Sequence, residues 1–110
     1  MKPAVMLPTY NEADNIRAIT EKILSVAPTA TVVIVDDDSP DGTGRIADEM
    51  AEADTRVRVI HRLENRGRGY AGAEGFRACV AEGFDPIIEM DADFSHDPAY
   101  IPEMLSALEG

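Results

Sequence analysis

The amino-acid sequence predicts an α/β fold: a mostly parallel sheet with helices on both faces, built from about four strand–helix units. Two observations carry that prediction. Short apolar runs alternate with segments of helical periodicity four times along the chain, and such alternation implies parallel pairing through right-handed crossovers. One of the runs, 31–35, is almost uninterrupted β-branched residue, as expected for a strand covered on both faces. At 110 residues, 45% of them hydrophobic, the chain is expected to form one globular domain, 1–110.

Ala4-Val5-Met6-Leu7 is the first short run, with Pro8 as its expected stop. A helix follows over about 12–26, where Ile16, Ile19, Ile23 and Leu24 share one face, Asn11 is the expected N-cap and Pro28 ends the segment. The second strand is 31–35. Gly42 and Gly44 punctuate the next loop, and a second helix runs to about Ala53. A third strand is expected near 57–60 and a third helix over about 70–82. The fourth strand is 86–90, and a last helix from about Ala99 carries Ile101, Met104, Leu105 and Leu108.

Charge and cysteine content narrow the function. Ten basic and 21 acidic residues give a net charge of −11. Nothing in such a chain could neutralise a row of phosphates, so a nucleic-acid partner is excluded, as is an anionic membrane bound through a basic patch. A phosphorylated ligand would need a cation to mediate. The single cysteine, Cys79, allows no intrachain disulfide, and its neighbours Phe76 and Val80 suggest a buried structural thiol on a helix. No apolar stretch resembles a signal peptide or a membrane span, so the chain is expected to be soluble and cytoplasmic.

In sheets of this kind ligands bind beyond the carboxyl ends of the strands, where strand order reverses. The loops at those ends are 8–12, 36–42, the segment after His61, and 91–93. Acids concentrate after strands two and four. Asp91 and Asp93, two apart on an extended segment, would lie about 7 Å apart and face the same way. Hard oxygen ligands so placed suit Mg2+ or Mn2+ bridging to a diphosphate, although two solvated acids in a turn would look the same. The run Asp36-Asp37-Asp38 could equally be a strand meeting water. From Asp37 onward the loop partly mimics a calcium-binding helix–loop–helix, but a strand precedes it and Pro40 interrupts it. Gly67-Arg68-Gly69-Tyr70-Ala71-Gly72 matches G-x-G-x-x-G, yet it opens the third helix instead of the first. Arg66 and Arg68 beside a diphosphate are one reading of it, and a helix start needing close backbone approach is the other. His61 and His96 belong to no recognisable nucleophilic arrangement. His96 could support the acid pair or simply lie at the surface.

Taken together, LPTYNEADNI at 7–16, VDDDSPDGT at 35–43, NRGRGYAGAEGF at 65–76 and MDADFSHDP at 90–98 resemble the polyprenol-phosphate (dolichol-phosphate) mannose synthases, family 2 glycosyltransferases of the GT-A fold. The resemblance spans essentially the whole chain, with the motifs in order. It implies a Rossmann-like sheet forming the N-terminal half of a GT-A domain, and transfer of mannose from GDP-mannose to a polyprenyl or dolichyl phosphate with inversion at the sugar carbon. By matching position, Pro8, Tyr10, Glu12, Val35 and Asp37 would cradle the nucleoside, Asp91 with Ala92 would reach the ribose and the metal, and Arg66 would stand near the diphosphate. Asp93 would be the principal metal ligand and the catalytic residue. Ser95 stands where some relatives carry a glutamine ligand. The metal implied is Mg2+ or Mn2+, and the lipid acceptor implies work at the cytoplasmic membrane face. A phosphate acceptor is already anionic, so no strong general base is required.

Two departures stand out. Around the glycine loop the family usually carries K-x-G-L-G, where this chain has Arg66 and Arg68. The family's catalytic domain is also about twice as long, so the fourth strand should lack its usual neighbour and pair with a second copy or another chain across that edge. A UDP-sugar transferase and a catalytically silent nucleotide-sugar-binding or assembly module are the alternative readings.

Overall fold

A computed structural model describes residues 2–62, 68–93 and 97–109. Four strands form one parallel sheet: β1 (Ala4–Thr9), β2 (Thr31–Asp36), β3 (Val57–His61) and β4 (Ile87–Glu89). The helices are α1 (Ile16–Val26), α2 (Thr43–Ala53), α3 (Arg68–Ala81) and α4 (Ile101–Glu109), the last preceded by a 3-10 turn over Pro98–Tyr100. Strand order is β3-β2-β1-β4. The chain therefore steps one way from β1 to β3, then returns past β1 to lay down β4, and the reversal point is the C-terminal edge between β1 and β4.

Each face of the sheet buries its own core. Alternate residues Val5, Leu7, Val32 and Ile34 meet Ile16, Ile19 and Ile23 of α1, Ala47 and Met50 of α2, and Ile101 and Leu105 of α4. The intervening residues Ala4, Met6, Val33 and Val35 meet Cys79 of α3 and Phe84 beyond its end. Strands buried on both faces explain why β1 and β2 read as continuous apolar runs.

Several boundaries depart from expectation for physical reasons. β1 does not stop at Pro8 but runs through it to Thr9, paired with Val35 and Asp36 of β2. On this strand Ala4 donates toward Pro86 and Met6 accepts from Met90, so the even-numbered residues turn toward β4. Pro8 is the next in that series. Its missing N–H faces the side where β4 has already ended its ladder at Glu89, partnered with Met6, so the proline removes no bond to β2.

Helix α1 begins at Ile16 with Asn15 as its N-cap, not at Glu12 with Asn11. Asn11 is instead held at φ 56°, a left-handed position asparagine tolerates. α3 turns its small residues inward. A Cβ on Gly75 would sit 2.4 Å from Met6 Sδ and 2.7 Å from Val35 Cγ2. Cys79, one helical turn on, is buried, and burial followed by the nearby Glu82 charge pushes its thiol pKa up. The expected burial of the thiol thus holds, while its neighbours Phe76 and Val80 are each 53% exposed on the outer side. Among the described residues no helix is long and apolar enough to cross a membrane.

Candidate functional site

Parallel strands bring the loops after β1, β2 and β4 to one edge of the sheet, with the β1 loop in the middle. The β1 and β2 loops are stitched together. Asn11 N–H donates to Ser39 Oγ (2.9 Å), Glu12 N–H to Thr43 Oγ1 (2.9 Å) and Ala13 N–H to Asp41 Oδ2 (3.0 Å). Those hydroxyls in turn donate hydrogen bonds to carboxylates, Ser39 Oγ to Asp36 at 2.7 Å and Thr43 Oγ1 to Asp41. Asp36 collects Thr9 Oγ1 (2.8 Å) and Ser39 N–H (3.1 Å) as well, which satisfies a carboxylate only 2% exposed. The three acids at the end of β2 are thus not a strand meeting water. Asp36 and Asp37 are buried and Asp38 alone is exposed.

Burial pulls the Asp41 carboxyl upward, but hydrogen bonds from Thr43 and Ala13 outweigh it and leave its pKa below the ordinary 3.8. A carboxyl with a folded pKa below its unfolded one stabilises the fold above the ordinary value, and that contribution is withdrawn as pH falls through the folded one. Asp54, drawn down to about 2 by the Arg56 side chain, acts in the same direction at a partly exposed site. The urea midpoint is therefore expected to fall as pH drops below 3.8, with a shallower fall in Asp41→Asn. Identical pH slopes for the two proteins would exclude the Asp41 contribution.

Asp37 faces the opposite side of the sheet from Asp36. Its Oδ1 accepts from Arg62 Nη1 at 3.0 Å, and Arg62 Nε donates to Glu74 Oε2 of α3 at 2.7 Å. The Arg62 and Asp37 side chains are 3% and 7% exposed. Removing one member of a buried pair strands the other charge, at a cost of about 3–5 kcal/mol. Sequence reasoning missed Arg62, Glu74 and the organising role of Asp36. For Arg62 the only signal was a lone cation directly after a strand that ends beside an acidic loop.

The expected site residues fall as follows. Pro8 is buried in β1, Tyr10 is half exposed on its loop, and Glu12 is partly buried, accepting from Asn15 Nδ2 at 3.2 Å. The Val35 side chain lies in the core beneath α3. On the far side of β1, Asp91 is partly buried, Ala92 is 2% exposed and belongs to the core beneath α1 and α4, and Asp93 is exposed. Ala92 and Asp93 lie in a turn, so the extended segment expected to align the two carboxylates is absent. The cause is Pro8, which offers β4 no donor beyond Met6 and lets the chain leave the sheet. Arg66 and Ser95 lie outside the described residues, as does His96. His61 is paired with Asp48 (2.8 Å) against the buried Gly44 in the first turn of α2.

β2 and β4 stand two inter-strand steps apart, roughly 10 Å. Oxygen ligands sit about 2.0–2.6 Å from a divalent ion, so one ion does not span that gap, while a nucleotide does. Consistently, no three His, Cys, Asp or Glu side chains converge as a metal cage among the described residues. The edge therefore offers two separate polar stations, Asp37 and the Asp91–Asp93 turn, with the Pro8–Glu12 loop between them.

Residues 4–110 match the family model described as glycosyl transferase family 2. The undecaprenyl-phosphate mannosyltransferase of Micrococcus luteus is 41% identical over 108 residues, covering 98% of this chain and 44% of that protein. The polyprenol monophosphomannose synthase of Mycolicibacterium smegmatis is 42% identical over 106 residues, covering 96% of this chain and 40% of that protein. The chain thus spans less than half the length of either. Among solved structures, the mannosyltransferase PcManGT of Pyrobaculum calidifontis, in complex with GDP-Man and Mn2+, superposes with a TM-score of 0.61 at 29% identity, over 70% of this chain and 24% of that one.

Proposed function

The chain belongs to glycosyl transferase family 2, and from that premise we propose that it binds the donor of a mannosyltransferase acting from GDP-mannose onto a polyprenyl phosphate. The observation that carries this reading is the pair of polar stations on either side of β1 at the reversal of strand order, a nucleotide's length apart. The mannosyltransferase names of the 41–42% identical relatives support the sugar and the acceptor, and the GDP-Man and Mn2+ of the Pyrobaculum protein support the nucleotide and the ion.

In this reading Pro8, Tyr10, Glu12, Val35 and Asp37 hold the nucleoside at the β1–β2 end, while Asp91 and Ala92 reach the ribose. The donor set at the β4 end fits a hard divalent cation, because the described part of the turn offers two carboxylates, Asp91 and Asp93, as hard oxygen ligands. Asp91, Asp93 and Ser95 would hold Mg2+ or Mn2+. The bound ion would supply charge stabilisation to the departing GDP. Arg66 adds positive charge near the diphosphate. An acceptor phosphate oxygen attacks the anomeric carbon from the face opposite GDP, the bond to the diphosphate oxygen breaks, and configuration inverts. The acceptor oxygen already carries negative charge, so the chain's task is to orient the donor and no catalytic histidine is required. With a lipid-linked acceptor, the protein is proposed to work in the cytoplasm at the membrane face.

Calorimetry with GDP-mannose and UDP-glucose, each with and without manganese, tests the donor, and radiolabel transfer to a polyprenyl phosphate tests the reaction. Preference for GDP-mannose in manganese is expected. Tighter binding of UDP-glucose would replace the donor, and binding without transfer would leave a binding module.

Among the described residues β4 pairs only with β1, and beyond its other side lies a cavity of about 660 Å3 lined by Ile88, Met90, Tyr100, Ile101 and Met104 among others. An unpaired strand beside an apolar hollow invites another strand. A second copy, or another chain, is proposed to pair there. Light scattering should show a mass that rises with concentration, and a clean monomer at high concentration counts against pairing.

A further inference from the structure

Arg62 is held at three points or more. Its N–H donates to the Asp36 carbonyl at 2.8 Å, its Nη1 to Asp37 Oδ1 at 3.0 Å and its Nε to Glu74 Oε2 at 2.7 Å. The side chain is 3% exposed. It leaves β3, grips the β2 loop and reaches α3, the helix that follows the glycine-rich segment. A guanidinium presents its N–H groups in a rigid fork, so contacts to two carboxylates on different elements fix their relative positions. A lysine is a point charge on a flexible stem and does not.

We infer that Arg62 is the positioning residue for Asp37: its guanidinium holds that carboxylate as a fixed, charged acceptor for the donor's nucleoside and locks it to α3 through Glu74. The inference rests on the reading of Asp37 as a nucleoside ligand. A buried carboxylate able to swing would lose orientation toward a ligand's N–H or O–H groups, whereas one pinned through Oδ1 meets them without rearrangement. The link also makes the β2 loop and α3 move as one body, so substitutions at the exposed end of the relay, at Glu74, are transmitted to Asp37.

The experiment measures GDP affinity by calorimetry without metal, which keeps the proposed ion out of the readout, on full-length wild type, Arg62→Lys, Glu74→Gln, Asp37→Asn and the Arg62→Lys/Asp37→Asn double variant. Arg62→Lys is expected to weaken GDP about tenfold, and Glu74→Gln by a smaller factor with an unchanged thermal midpoint, since its side chain is 52% exposed. Acting through Asp37, the Arg62→Lys loss should vanish in the Asp37→Asn background. Additive losses, or unchanged affinity in both Arg62→Lys and Glu74→Gln, overturn the inference while leaving the nucleotide reading intact. A wild type that binds no GDP removes that reading and the inference with it. Should Arg62→Lys fail to fold, Glu74→Gln alone and combined with Asp37→Asn decides the matter by the same logic.

Discussion

Asp93→Ala should abolish the manganese-dependent part of GDP-mannose binding and leave the fold unchanged. Asp93 is exposed in the turn after β4, so truncating its side chain opens no cavity in the core. Its proposed partner is an ion that needs several oxygens, and Asp93 is the principal ligand of the three residues proposed to hold it. With that carboxylate gone, Asp91 and Ser95 compete poorly against water for a hydrated cation. The expected loss is at least about tenfold in donor affinity with manganese present, equivalent to about 1.4 kcal/mol. GDP affinity without metal should be unaltered, because the nucleoside station at Asp37 lies across β1. Equal manganese-dependent affinity in wild type and variant would remove the metal assignment.

Gly75→Ala should destabilise the protein, although alanine is the better helix former by about 1 kcal/mol. The new methyl group would meet Met6 Sδ at 2.4 Å and Val35 Cγ2 at 2.7 Å. Methionine can bend away, but Met6 is 1% exposed with little room, and a β-branched valine in a central strand is stiff. Overpacking of this kind costs about 1–3 kcal/mol, enough to outweigh the propensity gain and lower the thermal midpoint by several degrees. Gly72→Ala supplies the contrast. Its Cβ would touch only the tip of Glu89, at 2.9 Å, and Glu89 is an exposed side chain that can rotate. That variant should be as stable as wild type or slightly more so. A Gly75→Ala protein as stable as Gly72→Ala would refute the close approach of α3 to the sheet.

Much of the fold was legible because its signals are local. The β-branched run at Thr31–Val35 is a central strand, the face formed by Ile16, Ile19 and Ile23 is buried, and alternating elements gave a parallel sheet covered on both sides. What local reading mistook depended on distant partners. Pro8 looks like a stop until the side its nitrogen faces is known. Asn11 looks like a cap until its N–H is seen on Ser39, 28 positions away. Phe76 and Val80 are apolar yet face outward, because Gly72, Gly75 and Cys79, spaced three and four apart, form the stripe that faces the sheet. That spacing of small residues was the available clue. In the site, the acid pair after β4 could be found by pattern, whereas the Asp37–Arg62 contact joins residues 25 apart that share no motif.

The stitching of 11–13 to Ser39, Asp41 and Thr43 bears on what a ligand must do on arrival. Freezing one residue's backbone costs about 1–2 kcal/mol, and a loop that settles only around its guest subtracts that from affinity. Here the settling is finished in advance, with three N–H groups already committed to side chains across the gap. For the proposed nucleotide this edge would be a mould more than a glove, and association is expected to be governed by how well the ligand matches it.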